Sequence, residues 1–310
     1  MSVKKCTAIA AALLAGGLFA AEAESQGLSW EPGSGISWGE TPVMTAEFGL
    51  AFDSKYMTYG LVDNRDPILT PSASATFFDF LTFEVEAIFE MTKQGKKAGP
   101  GRKNRGGKYM ELDPGAYLSQ TFSADDYAWL PTTIEASLGY SYEYHPRSMD
   151  GKSGYWADSQ YVWAEVALPD LWIEPLLYIE RDISRDNGTY ANLELGHTFP
   201  LIDSEEEDGD PLLAFRPSVG QGFGNTQRVR GYLWDSKKDE ALDHAGLMDT
   251  CVKGELTWAI CDWLSLSGYV AYYDYLFDSR MRDGARGYTE RNSDDRSYHF
   301  VSGLALTAAF

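Results

Sequence analysis

Cysteine and histidine are scarce in this 310-residue chain, which contains 3 cysteines and 4 histidines. Cys251 lies in a proposed strand and Cys261 just past its end. At roughly 3.4 Å per residue the two are about 34 Å apart, far beyond the ~7 Å Cα separation that a disulfide allows. No disulfide is therefore expected between them.

Long apolar runs are also missing. Beyond the N-terminal segment, no stretch approaches the roughly 18 consecutive apolar residues that predict a membrane-spanning helix. If the mature chain crosses a membrane, it must do so with strands whose backbone groups bond to one another. The 19 Tyr, 15 Phe and 9 Trp residues are typical of β-proteins, whether soluble or membrane-bound.

Basic residues are few: 26 Lys and Arg stand against 46 Asp and Glu, a formal net charge of −20. This acidity argues against nucleic acid as a partner, because nucleic acid is itself densely negative. No cofactor, no metal site and no catalytic residue set is expected, so the sequence does not predict an enzyme.

The N-terminus has the pattern of a secretory signal peptide. Lys4 and Lys5 precede an apolar run from Ala8 to Ala21, and Ala21 and Ala23 are the small residues that signal peptidase reads. Residues 1–23 are therefore predicted to be removed. Their loss leaves a net charge of −21, since they carry two lysines and one glutamate.

The mature chain shows segments in which apolar and polar side chains alternate. From Phe83 to Met91 one face is apolar and the other carries Glu84, Glu86 and Glu90. A helix cannot sort these residues into two faces, whereas a barrel strand between lipid and lumen does. The same pattern predicts strands at residues 43–53, 71–78, 81–92, 109–122, 132–145, 155–168, 171–183, 189–200, 211–222, 247–260, 263–277 and 297–310.

This pattern predicts an all-β fold: a transmembrane, antiparallel, up-and-down β-barrel of about 12 strands. We divide the chain into a signal peptide at 1–23, an N-terminal periplasmic arm at 24–42 and the barrel at 43–310. Connections alternate between long ones, expected outside the cell, and short ones, expected in the periplasm. Pro114, Pro175 and Pro217 fall inside proposed strands and predict bulges or shifted strand limits, because proline lacks the donor that the ladder uses.

The C-terminus gives a second, independent signal for a barrel. Counting back by two from the last residue, Phe310, gives the apolar residues Ala308, Leu306 and Leu304. An aromatic last residue on an alternating strand resembles the C-terminal signal that the barrel-assembly machinery recognises. We therefore expect the protein in the outer membrane of a Gram-negative-type bacterium, in contact with lipid and lipopolysaccharide.

One stretch carries a family resemblance. An alternating strand is followed by Ser54 and the run Tyr56-Met57-Thr58-Tyr59-Gly60, then by a polar loop, Asp63-Asn64-Arg65-Asp66, and two further strands. From Ala46 to Phe89 this arrangement resembles the start of the TorF family of porins, in which Arg stands at the place of Tyr59. The resemblance implies an outer-membrane channel without an established substrate.

Acidic side chains dominate the proposed lumen face. Those chosen as lumen lining are Glu47, Glu84, Glu86, Glu135, Glu165, Glu174, Glu194 and Glu255. Lys253 is the chief base that the alternation places among them. Buried carboxylates need water or partners, and rings of carboxylates favour cations. We expect a narrow porin-like channel for small cationic or neutral solutes, with Tyr161, Trp163, Trp172 and Tyr178 as residues that would occlude it.

Two other functions remain open. A non-conducting structural or adhesion barrel would display its outer loops, of which residues 93–108 carry only basic charges and are suited to lipopolysaccharide phosphates. A hydrolase would need a histidine set, for which His197 or the pair Asp243-His244 with Asp294-Asp295 are the candidates. The acidic run from Asp203 to Asp210 is expected to be a solvated turn rather than a calcium site.

Overall fold

A computed structural model describes residues 28–31, 35–38, 41–91, 108–124, 126–127, 129–145, 158–204, 211–235, 237–291 and 296–310. The predicted signal peptide, most of the basic loop at 93–108 and the acidic residues 205–210 lie outside the described residues.

The described chain is built almost entirely of strands. In chain order these are β1 (Leu28–Glu31), β2 (Gly35–Trp38), β3 (Thr41–Asp53), β4 (Tyr56–Thr58), β5 (Leu61–Asn64), β6 (Ile68–Phe77), β7 (Leu81–Glu90), β8 (Lys108–Phe122), β9 (Ile134–Glu143), β10 (Ser159–Ala167), β11 (Leu176–Asp182), β12 (Thr189–Gly196), β13 (Phe199–Ile202), β14 (Leu213–Gly224), β15 (Trp234–Asp235), β16 (Glu240–Ala241), β17 (Gly246–Cys261), β18 (Leu264–Asp274) and β19 (His299–Ala309). The described helices are α1 (Thr226–Tyr232) and α2 (Ser279–Arg291).

Twelve of these strands close into one antiparallel barrel, as the sequence predicted. The order around the barrel is β3, β6, β7, β8, β9, β10, β11, β12, β14, β17, β18 and β19. The barrel closes where β19 pairs with β3. Connectivity is up-and-down, because each barrel strand pairs with its neighbours in sequence.

The alternation sorts side chains as the barrel geometry requires. On β7 the apolar Phe83 and Val85 point outward and are exposed, while Glu84 and Glu86 face the opposite way. The same exposed apolar belt includes Leu138, Val270 and Leu304 on other strands. Apolar side chains around the outside of a closed barrel form the surface that meets lipid.

The prolines have different outcomes. Pro114 lies opposite Val85 and Pro217 opposite Gly254, both in unbroken register, so neither produces the expected bulge. Pro175 lies outside the sheet, because β11 begins at Leu176 rather than at the predicted residue 171. A further proline, Pro71, stands where pairing between β6 and β7 lapses, as the loss of a backbone donor explains.

The two ends of the barrel differ in how strands are joined. At one end, here the short-turn end, β6 and β7 are joined by a tight turn in which Phe78 and Asp79 have φ of 54° and 60°. Two positive φ values in succession match the right-handed twist of a hairpin. The opposite end, here the long-loop end, carries β4 and β5 in one connection, α1, β15 and β16 in another, and α2 in a third.

The chain termini meet at the short-turn end. Backbone hydrogen bonds join Ala46 and Phe310 in both directions, at 2.7 and 2.8 Å, and the Phe310 ring contacts Phe48 and Trp263. Just beyond, β2 pairs with the first residues of β3. This part of the predicted N-terminal arm therefore continues the sheet past the end of β19.

A compact apolar core lies at the long-loop end. Leu61 from β5, Val229 from α1 and Met281 from α2 are buried together against side chains of the barrel strands. Asn225 caps α1 by accepting a hydrogen bond from the Arg228 N–H at 3.0 Å. We call β4, β5, α1 and α2 the plug.

Two further expectations concern helices and cysteines. Within the described ranges, no helix is long and apolar enough to cross a membrane. Cys251 and Cys261 are both free, as expected from their separation, although Cys261 proves to be the last residue of β17 rather than outside it.

Candidate functional site

The lumen has two walls of different charge. The first, here the acidic wall, is formed by carboxylates of β3, β7, β8 and β9 that face inward: Asp53, Glu84, Glu86, Glu111, Asp113 and Glu143. In the part of the chain that the structure describes, no Lys or Arg side chain forms an ion pair with any of them. Tyrosine hydroxyls donate to Asp53, Glu111 and Glu143, and His145 lies beside Glu111.

A cavity of about 400 Å³ lies against the acidic wall. Glu47, Glu84, Glu86 and Asp113 line it together with Tyr117. Glu86 faces this space and is nonetheless exposed, which shows that water reaches the cavity. A carboxylate in contact with water remains solvated, so Glu86 does not need an internal partner.

The second wall, here the paired wall, lies on the opposite side. Arg216 of β14 binds Glu174 at 3.2 Å and also pairs with Glu194. Lys253 of β17 binds Glu255 at 3.0 Å. Glu174, Glu194 and Glu255 therefore each have a basic partner.

The predicted lumen glutamates divide between these settings. Glu47, Glu84 and Glu86 line the cavity. Glu135 and Glu165 lie on β9 and β10 toward the short-turn end. The remaining three, Glu174, Glu194 and Glu255, belong to the paired wall.

Two corrections follow. Glu174 does not stand on a strand, because it lies in the 168–175 turn with a φ of 37° and accepts hydrogen bonds from Thr198. Arg216 is a lumen base in addition to Lys253. Its position between Phe215 and Pro217, both on the opposite face, gives the period-two signal that identifies it as inward-facing.

Three aromatic side chains of β8, β10 and β11 form a cluster on one side of the lumen. The Trp163 ring lies 5.4 Å from Tyr117 and 6.2 Å from Tyr178 between ring centroids. Gly139 permits this, because a Cβ there would lie 2.3 Å from the Trp163 ring. Trp172, also expected to occlude the lumen, instead lies exposed in the 168–175 turn and stacks on His197.

The plug spans the lumen from one side to the other. Tyr59, between β4 and β5, belongs to the connection from β3 to β6, and its hydroxyl donates to Glu180 on β11. In the barrel order β11 lies diametrically opposite β3. A chain segment that connects opposite walls necessarily crosses the channel axis.

Arg228 of α1 is the centre of the plug. Its side chain is 0% exposed, forms ion pairs with Glu180 at 3.2 Å and Asp186 at 3.5 Å, and lies over the Tyr59 ring at 4.8 Å. The carboxylates and the ring outweigh desolvation and raise the pKa of Arg228 above its ordinary value, so it stays charged. Nothing in the local sequence pattern of this connection predicted the role.

A compact cluster of metal-binding side-chain types lies beside the plug. Atoms of Glu111, Glu143 and His145 that can act as ligands lie within 4.8 Å of one another. The period of two puts both glutamates on the lumen face, whereas His145 stands two residues beyond the end of β9.

The histidines considered for hydrolysis have other neighbours. His197 is packed between the rings of Trp172 and Phe199, with centroids 4.9 and 4.5 Å away, and lies 3.5 Å from Glu174. His244 binds Asp278 at 2.9 Å rather than Asp243. Asp294 and Asp295 lie outside the described residues.

Comparisons with known proteins show the fold. No family model matches the chain, and no curated protein matches it, so the TorF resemblance is not shown. The crystal structure of an outer-membrane channel from Pseudomonas putida F1 matches with a TM-score of 0.50 and 11% identity, over 88% of this chain and 98% of that one. At this identity the match shows a shared barrel architecture.

Two other matches are weaker. The outer-membrane protein OmpT of Vibrio cholerae has 10% identity and a TM-score of 0.36, over 86% of this chain and 96% of its own. OccK11 of Pseudomonas aeruginosa has 12% identity and a TM-score of 0.34, over 89% of this chain and 68% of its own. The likeness in architecture is therefore to the Pseudomonas putida channel.

Proposed function

We propose that the protein is an outer-membrane channel with a narrow, negatively charged lumen that favours small cationic solutes over anions and also passes small neutral ones. The observation that carries the proposal is the acidic wall beside a water-accessible cavity. Carboxylates at a pore wall raise the local concentration of cations and repel anions.

The paired wall adds little to this potential. Arg216 and Lys253 compensate the acids beside them, so the charge that a passing ion meets comes chiefly from the acidic wall. The Trp163 cluster and the plug both occupy part of the lumen, which supports a narrow conducting path rather than a wide pore.

The test is the reversal potential of the refolded mature chain in a planar bilayer across a KCl gradient. We expect cation preference, reduced in a triple variant Glu84→Gln, Glu86→Gln and Glu135→Gln. The preference should also weaken as salt rises, because the Debye length falls from about 10 Å at 0.1 M to about 3 Å at 1 M. Glu240→Gln, at a largely exposed site in a long-loop connection, is the matched control.

A second function, a non-conducting barrel that displays its loops, is favoured by the plug itself. Arg228 and the apolar core fill the lumen at the long-loop end. A variant that lacks residues 56–64 distinguishes the two functions by its conductance. Conductance in that variant but not in the parent indicates a gated channel, and silence in both contradicts the channel. A parent channel that prefers anions would refute the charge argument.

Location forms part of the proposal: we place the barrel in the outer membrane, the long-loop end outside and the short-turn end in the periplasm. The exposed apolar belt supports insertion, and Phe310 stands where the last strand closes on the first. Phe310→Ala should reduce assembled barrel in the outer membrane, measured as the heat-modifiable band in membrane fractions. Phe300→Ala, an exposed aromatic on the same strand and face, is the matched control and should assemble normally.

A further inference from the structure

The strands β8 and β9 bring a histidine into an otherwise acidic group. Leu112 and Tyr144 exchange backbone hydrogen bonds at 3.0 and 2.9 Å, and this register places Glu111 across from His145 and Asp113 across from Glu143. All four residues are on the lumen side. The pairing of these two strands therefore builds a group of three carboxylates and one imidazole.

Two members of the group are buried and the other two, Asp113 and Glu143, are partly buried. Glu111 is 2% exposed and His145 is 8% exposed. Oε2 of Glu111 accepts no hydrogen bond and faces Nε2 of His145 at 3.3 Å. A buried carboxylate oxygen without a donor is costly unless a positive charge stands beside it.

Two tyrosines hold the carboxylates in place. The Tyr56 hydroxyl donates to Oε1 of Glu111 at 3.1 Å, and the Tyr161 hydroxyl donates to Oε2 of Glu143 at 3.1 Å. Each bond occupies one oxygen and leaves the other available toward the centre of the group. Hydrogen bonds of this kind orient ligands in metal sites and raise their affinity.

We propose that Glu111, Glu143 and His145 bind one divalent transition-metal cation. Their ligand atoms lie within 4.8 Å of one another, and two ligands on a common Zn²⁺ lie at most about 4.2 Å apart, at roughly 2.1 Å from the metal each. A small inward shift of the side chains therefore completes the coordination. Asp113, next on the same face, is placed to contribute a fourth oxygen.

The donor set decides the class of cation. Mg²⁺ and Ca²⁺ take oxygen ligands, whereas imidazole suits Zn²⁺ and its neighbours in the periodic table. Two carboxylates with one imidazole therefore favour Zn²⁺ over Mg²⁺ or Ca²⁺. Because Tyr56 belongs to the plug and Glu111 to the barrel wall, the bound cation stabilises the junction of the two.

The test is calorimetric titration of the refolded, chelator-treated mature chain with ZnCl₂. We expect one Zn²⁺ per chain and binding at least about tenfold weaker in Glu111→Gln and in His145→Ala, since losing even a partner that orients a ligand costs 10–100-fold. Mg²⁺ and Ca²⁺ should bind at least about tenfold more weakly than Zn²⁺. Co²⁺ in place of Zn²⁺ should give a visible absorption band that both variants lose.

His244→Ala and Glu240→Gln are the matched controls, because they remove the same residue types from the long-loop end outside this group. Heat-modifiable migration verifies that each variant folds. If His145→Ala does not fold, Glu111→Gln still tests the proposal, because its amide oxygen can accept the hydrogen bond from Tyr56. Absence of saturable Zn²⁺ binding by the folded parent overturns the proposal. Equal Zn²⁺ binding by the parent and both variants, or Ca²⁺ binding as tight as Zn²⁺, overturns it as well. None of these readouts depends on conductance.

Discussion

The acidic wall and the paired wall belong to one lumen and use the same residue type in different ways. On the paired wall, Glu194 and Glu255 have Arg216 and Lys253 as cross-strand or same-strand partners, so their charge is compensated locally. On the acidic wall, Glu84 and Glu86 face water and other acids. The comparison shows that nearby side chains decide whether the charge of a lumen glutamate is compensated by a base or stays available to a passing ion.

The plug extends the comparison to a third setting. Glu180 is buried like Glu111, yet it has the guanidinium of Arg228 as its partner, whereas Glu111 is contacted by Tyr56 and His145 and forms no ion pair with a Lys or Arg of the described chain. Buried acids with a fixed base hold a structure together. Buried acids that lack one create demand for a proton or a bound cation.

The largest effect is expected for the buried pair in the plug. Arg228→Met leaves Glu180 and Asp186 buried without a base, and breaking such a pair costs roughly 3–5 kcal/mol. Hydrogen exchange of the α1 amides should report that loss as faster opening of the plug. Arg230→Met, on the same helix with a side chain 60% exposed, should change the opening free energy by less than about 0.5 kcal/mol. Similar exchange in both variants would show that Arg228 does not hold the plug.

The next prediction tests which face of β7 meets lipid. Val85→Lys places a charge in the lipid belt and should cost roughly 2–4 kcal/mol at the bilayer midplane. Glu86→Lys, one residue along, should be tolerated, because the lumen there is wet and acidic. Denaturant unfolding in lipid vesicles, followed by tryptophan fluorescence, measures both. Equal costs at the two positions would contradict the assignment of the faces.

A smaller effect should separate the two walls directly. Arg216→Gln removes the partner of Glu174 and Glu194 and should lower the free energy of unfolding by about 1–2 kcal/mol. The loss is smaller than for a fully buried charge-assisted hydrogen bond, because 19–27% of each of these side chains is exposed. Glu84→Gln on the acidic wall breaks no ion pair in the described chain and should stay within about 0.5 kcal/mol. Denaturant unfolding in lipid vesicles measures both variants. A larger loss of unfolding free energy in Glu84→Gln than in Arg216→Gln would contradict the difference between the two walls.

The smallest effect concerns an acid with a titratable partner. Burial acts to raise the pKa of Asp278, but hydrogen bonds from His244 and from backbone N–H groups of α2 outweigh it and place this pKa below its ordinary value of 3.8. A lowered pKa means that the charged form stabilises the fold above that value and that this stability is lost as pH falls through it.

Asp278→Asn keeps the helix cap and removes the charge. We expect the free energy of unfolding of the parent to exceed that of the variant by about 0.2–1 kcal/mol at pH 7. This difference should vanish in acid. Melting curves at several pH values measure this. Asp283→Asn, a largely exposed acid on the same helix, should show no such trend. If the parent and Asp278→Asn still differ in unfolding free energy below the lowered pKa, the effect comes from packing rather than from the charge.

The sequence predicted the twelve strands, because a barrel wall between lipid and water imposes a period of two on every strand. The same period puts Glu84 and Glu86 on the face of β7 opposite Val85. The predictions from sequence were wrong or missing outside the strands, where the alternation of side chains ends. Glu174 stands in a turn, Trp172 lies at the rim, and Arg228 belongs to a long connection with no repeating environment.

Tertiary structure alone decided which charges meet. The alternation places Glu111 and Glu143 on the lumen face, but only the register between β8 and β9 brings His145 beside them. Likewise, only the path of the β4 and β5 connection across the lumen joins Tyr59 to Glu180. Side-chain direction is a local property that each strand carries in its own sequence, whereas the pairing of charges depends on strand register and loop path, which arise from contacts between residues far apart in the chain.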